Sequence, residues 1–91
     1  MSEQAQIADA DDFILSGHAL ESMQDHGLTE DDVYAVLGDY DEEMTYDDGR
    51  MRLGRMMEDG RWLVAIVEAD GKTVVTVWQD KRQSRRYRER R

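Results

Sequence analysis

The chain has 91 residues and suits one domain with a single small core; it has no cysteine, which excludes a disulfide framework, a thiol nucleophile and a thiolate metal site. Its net charge of −9 argues against a general affinity for nucleic acid, because counterion release needs clustered bases rather than a repelling field, and only the basic tail escapes this objection. The charge is sorted along the chain: residues 1–50 carry 15 acids and one base, whereas residues 81–91 carry seven bases against Glu89.

Residues 1–11 are polar, lack periodicity and read as an acidic, flexible leader, so a single domain over 12–80 is expected between it and a basic tail over 81–91. Ser16 is placed as the N-cap of a first helix over 17–26, with Leu15 and Leu20 in the two staple positions and Gly27 as a left-handed stop. Its buried stripe reads Ala19, Leu20 and Met23. Thr29 caps a second helix, with Asp32 at the third position and Leu28 stapled to Val33. Glu30, Asp31 and Asp32 stand where the helix dipole is positive. Val33, Val36 and Leu37 follow the helical spacing, and Gly38 is placed as the stop. Both helices are too short to be stable alone and need an apolar partner.

That partner is expected in the second half, where Asp48-Gly49, Asp59-Gly60 and Asp70-Gly71 recur. Asp-Gly favours two-residue hairpin turns in which both residues take positive φ. Three turns imply four strands, placed at 43–47, 50–58, 61–69 and 72–80. The run from Trp62 to Val67 is apolar throughout, as in a central strand covered on both faces or lying at a subunit contact. Thr73, Val74, Val75, Thr76 and Val77 are β-branched and suit a pleated sheet. The expected fold class is therefore α+β: two N-terminal helices packed on a four-stranded antiparallel β-meander, followed by a basic C-terminal tail.

No apolar run approaches a membrane span, and the N-terminus lacks the basic and apolar regions of a signal peptide, so a cytoplasmic protein with no membrane partner is expected. Asp outnumbers Glu, 13 to 8, and Arg outnumbers Lys, 10 to 2. This bias fits work in concentrated salt, which screens self-repulsion, and equally an acidic protein of ordinary habitat.

His18-Ala19-Leu20 with Met23, then Gly27-Leu28-Thr29 with Asp32-Val33, an Asp-Gly hairpin and a late Val-Val-Thr-Val-Trp strand resemble the family catalogued as domain of unknown function 4258. The resemblance runs from about Phe13 to Trp78. It implies a likeness to the RelE and ParE type of toxin fold, in which two N-terminal helices pack on an antiparallel sheet. Members usually carry Arg at the positions of Ser22 and His26. Relatives of the RelE type cut messenger RNA with Arg, Lys and Tyr side chains, because in-line attack by a 2′-hydroxyl needs a base, an acid and cations for the developing charge.

Candidates for such chemistry here are His18, Arg61 and Tyr87. Arg50, Arg52 and Arg55 on the hairpin, with Lys81, Arg82, Arg85, Arg86 and Arg88 from the tail, are candidates for binding. Each has a plainer reading. His18, in the first turn of its helix, can anchor that helix by hydrogen bonding, and the arginines can simply face solvent. His18, Glu21, Asp25 and His26 lack the spacing of a strong ligand signature, and neither a metal nor another cofactor is expected. Met51, Met56 and Met57 form either an adaptable surface or core filler. Tyr34, Tyr40 and Tyr46 read as the edge of the core.

The tail is the clearest handle. It suits contact with RNA or the ribosome, or with an acidic protein partner or antitoxin; it can equally pair with Asp31, Asp32, Asp39, Asp41, Glu42 and Glu43. The expected function is a non-catalytic protein- or RNA-interaction module, with a homodimer through an exposed strand as a further contact. The alternative is a RelE-type endoribonuclease toxin of a toxin-antitoxin pair.

Overall fold

Each Asp-Gly pair closes a hairpin, with the glycine as its left-handed residue: φ is 94° at Gly49, 93° at Gly60 and 76° at Gly71. No described aspartate has positive φ, so the expected turn with two left-handed residues is not formed. Aspartate contributes through its side chain instead. Oδ1 of Asp48, Asp59 and Asp70 accepts from the backbone N–H two residues on, at 3.0, 3.1 and 2.9 Å. Gly49 N–H closes on Tyr46 O at 3.0 Å and Gly60 N–H on Met57 O at 2.9 Å. The first two are three-residue loops in which an ordinary turn is followed by one left-handed glycine, a pattern that matches the twist of the flanking strands, and the third, closed by Glu68 N–H on Thr73 O at 2.8 Å, has four residues.

The structure is a computed structural model that describes residues 13–81. Its elements in chain order are β1 (Ile14–Leu15), α1 (Gly17–His26), α2 (Glu30–Gly38), β2 (Glu42–Thr45), β3 (Met51–Met56), β4 (Trp62–Val67) and β5 (Thr73–Gln79). The fold is α+β. The sheet has five strands in the order β1-β5-β4-β3-β2, and it is mixed rather than a four-stranded antiparallel meander. The extra strand, β1, runs parallel to β5, with Ile14 opposite Thr73 and Leu15 opposite Val74. Two residues show no alternation, and their partner lies 59 residues away, so the pairing leaves no local trace.

The helices cover one face of the sheet. Leu53, Ala65 and Val77 form one cross-strand row on that face and are 0–2% exposed. They pack with Ala19 and Met23 of α1 and with Val33, Val36 and Leu37 of α2. The side-chain period of two sends the next row, Gly54, Val64 and Trp78, to the opposite face.

Ser16 caps α1 as expected, its Oγ accepting from Ala19 N–H at 3.0 Å. The same hydroxyl donates to Val75 O at 3.1 Å, where the β4–β5 register shifts. Helix α1 follows directly from β1 and lies along β5, and its Ser22 hydroxyl stands 2.9 Å from that of Thr76. This placement corrects one expectation: Ala19 and Met23 point inward, but Leu20 is 48% exposed. Gly27 is the left-handed cap, with φ 66°.

In α2 the capping box is reciprocal, with Asp32 N–H donating to Thr29 Oγ1 and Thr29 N–H to Asp32 Oδ2, both at 3.1 Å. Gly38 is not the stop. It is the last helical residue, and Asp39 forms the cap. Met51 and Met56 pair opposite Val67 and Trp62 and so fall on opposite faces, while Met57 packs against the core. The three methionines therefore do not make one surface.

Gly54 sits inside β3 for a steric reason. A Cβ there would stand 2.7 Å from Cζ2 of Trp62, whose indole lies over the bare backbone.

Candidate functional site

The four arginines around the β3–β4 hairpin are held by four separate structural tasks. Arg61 leaves the hairpin turn and meets the start of α2: Nη1 and Nη2 donate to the two carboxylate oxygens of Asp32 at 3.3 and 3.2 Å, and Nε donates to Asp59 at 2.8 Å. This two-pronged contact matches the fork of a guanidinium and ties the turn to the capping box. Arg55 serves the other end of the same helix. Its Nη1 donates to Ala35 O at 3.2 Å and Asp39 O at 3.1 Å, and pairs with the Asp39 carboxylate at 3.2 Å. A cation is favoured there by the helix dipole.

Arg50 pairs with Glu68 at 3.4 Å and, more distantly, with Asp48 at 3.7 Å. Arg52 lies over Trp78, its Cζ 5.5 Å from the ring centroid. That distance allows a cation–π contact.

His18 is exposed in the first turn of α1. Among the described residues no hydrogen bond or ion pair links it to Arg61. Lys81 is exposed. Tyr87, Arg82, Arg85, Arg86 and Arg88 lie outside the described residues. Among the described residues no group of three or more His, Asp or Glu stands close enough to hold a metal ion.

Three carboxyl and phenol groups are shifted. Burial pushes the Asp32 carboxyl upward, but hydrogen bonds from Arg61 and Thr29 outweigh it and hold the group below its ordinary 3.8. The Lys72 N–H, with Thr73, holds Asp70 low. Burial, followed by the nearby Glu43 charge, raises the Tyr40 phenol. All three belong to turns, caps or the rim of α2.

The sheet face opposite the helix-packed core, which Ser22 of α1 reaches at Thr76, carries what residue reasoning missed. Ile66, Thr76 and Trp78 line an open groove of about 630 Å³ with Tyr46, Asp47 and Asp48. Tyr46, expected at the core edge, belongs to this groove. The signal was present in the alternation of β4 and β5, since residues 62, 64 and 66 must face away from residues 63, 65 and 67. Strand β2 closes the sheet on one side, and all four of its residues are exposed.

Two short helices on one face of a five-stranded mixed sheet define a small α+β domain with an acidic surface and an aromatic second face. The chain belongs to the family described as Domain of unknown function (DUF4258), whose model matches residues 15–81. No curated protein and no solved structure matches the chain. No helix among the described residues is long and apolar enough to cross a membrane.

Proposed function

We propose that this protein is a non-catalytic interaction module whose basic C-terminal arm, 81–91, contacts RNA or an acidic protein surface. One observation carries the reading. Arg50, Arg52, Arg55 and Arg61 are each engaged within the fold, while seven of the chain's twelve cations lie in 81–91. A cleaving site needs cations free to meet a developing phosphorane. Arg61 instead holds a helix cap. His18 and Arg61 stand on different elements without a bond between them, which also speaks against a shared catalytic centre.

The arrangement of two helices on a sheet supports a finer placing of the fold with the RelE and ParE type of toxin, and this belongs to the proposal. So do a cytoplasmic location and a homodimer through the exposed strand β2. An endoribonuclease toxin would arrest translation when overexpressed, and Arg61→Ala or Tyr87→Ala would relieve the arrest. The module predicts growth with intact messenger RNA, together with salt-sensitive RNA or acidic-protein binding that disappears when the arginines of 82–91 are neutralised. Equal binding by neutralised and native chains would discard the arm as the contact.

A further inference from the structure

An aspartate followed by glycine can react with its own backbone, because a glycine N–H has no neighbouring Cβ to keep it from the aspartate Cγ. Three such pairs stand at the hairpin turns, and the sequence draws no distinction between them. The fold does. The attacking nitrogens are held alike: Gly49 N–H donates to Tyr46 O at 3.0 Å, and Gly60 and Gly71 N–H donate to Met57 O and Glu68 O at 2.9 Å each. The carboxylates are not.

Asp70 is held through both oxygens. Its Oδ1 accepts from Lys72 N–H and Thr73 N–H at 2.9 Å each, and its Oδ2 accepts from Thr73 Oγ1 at 2.7 Å. Asp59 is also held through both, by Arg61 N–H at 3.1 Å and Arg61 Nε at 2.8 Å. Asp48 is held through Oδ1 alone, by Arg50 N–H at 3.0 Å. Its Oδ2 lies 3.7 Å from Arg50 Nε, beyond hydrogen-bond reach, and its side chain is 62% exposed.

We propose that Asp48-Gly49 is a site of spontaneous backbone modification, where the folded chain cyclises to a succinimide and reopens as isoaspartate. The Gly49 nitrogen bonds to Cγ of Asp48, and its proton leaves with the carboxyl hydroxyl as one water. A water then adds to the main-chain carbonyl of residue 48, breaking its bond to the Gly49 nitrogen and leaving that carbonyl as a free carboxylate. Atoms balance with water alone and no oxidant or reductant takes part. The oxygen that must leave is Oδ2, which Asp48 keeps free and which the other two aspartates commit to Arg61 and Thr73.

The product carries one extra methylene in its main chain. The three-residue loop that brings Tyr46 N–H to Arg50 O at 2.8 Å then no longer has the length that pairing needs. The change therefore loosens the hairpin joining β2 to β3, at the rim of the groove that Tyr46, Asp48 and Arg50 line. This chemistry is independent of the interaction reading, since it needs no partner.

The test ages the full folded chain at neutral pH and reads its peptides by mass spectrometry, with electron-transfer fragmentation to distinguish isoaspartate from aspartate. Loss of one water and then isoaspartate should appear at residue 48 first. Asp59 and Asp70 should lag by about fivefold or more, because further hydrogen bonds to a charged group must break there. In urea the three sites should converge, since the order comes from the fold. Thr73→Val keeps a β-branched residue in β5 and frees Oδ2 of Asp70, so conversion at residue 70 should rise. In the aged chain, amide exchange at Tyr46 should quicken with the isoaspartate fraction. No conversion at residue 48, conversion at 59 or 70 first, an order that persists in urea, an unchanged residue 70 in Thr73→Val, or a Tyr46 amide as protected as before would each overturn the proposal.

Discussion

Replacing Gly54 by alanine asks whether the indole over β3 can move. The new methyl would stand 2.7 Å from Cζ2, 3.1 Å from Cε2 and 3.2 Å from Nε1 of Trp62. Carbon atoms in contact prefer about 3.5–4.0 Å, so the ring must retreat by about 1 Å. Trp62 is 2% exposed, which leaves it little room. Forcing a methyl into such a site costs about 1–3 kcal/mol. At about 4–8 °C per kcal/mol for a domain of this size, the midpoint should fall by roughly 4–24 °C. Gly38→Ala is the matched control. It ends α2, lacks positive φ, and a Cβ there meets nothing within 4 Å, so it should gain about 0.4–1 kcal/mol. Thermal melts followed by circular dichroism and by tryptophan emission read both changes. If Gly54→Ala melts with or above the parent and its emission is unmoved, the packing of indole on bare backbone is not what keeps glycine there.

Arg61→Gln removes the hydrogen-bonded charge pair with Asp32 and should cost about 1–3 kcal/mol in urea melts at neutral pH. The Asp32 carboxyl lies below 3.8 in the folded chain, so its contribution is full above the unfolded value and is lost as pH falls through the lower folded value. Native and Arg61→Gln chains should therefore converge in acid, and a gap that does not close there refutes the pairing. Ser16→Ala removes the cap of α1 and the bond to Val75 O, and about 1 kcal/mol or more should be lost; amide exchange in α1 that stays as slow as in the parent counts against it. If the arm meets single-stranded RNA, a plot of log affinity against log salt should have a slope no steeper than about −5 for its seven bases. A steeper slope would require cations that the fold holds elsewhere.

The sequence by itself determined the features whose cause lies within a few residues. Ser16 and Thr29 as caps, Gly27 as a left-handed stop and a hairpin at each Asp-Gly pair were all legible, because each depends on a backbone group two to four positions away. Even there the atomic route differed: Asp48, Asp59 and Asp70 act through their carboxylates, and glycine alone takes positive φ. Leu20 was misjudged because its burial depends on how α1 lies against β5, not on helical spacing alone.

Only the tertiary structure decided the rest. The pairing of Ile14 with Thr73 spans 59 residues, and that of Arg61 with Asp32 spans 29. Whether an arginine is a free cation or a tie between elements is set by which carboxylate or carbonyl the chain brings within about 3 Å of it, and charge along a sequence carries no record of that distance. The same holds for the second face of β4: period two separates its rows, but what lies over each row is a matter of layers.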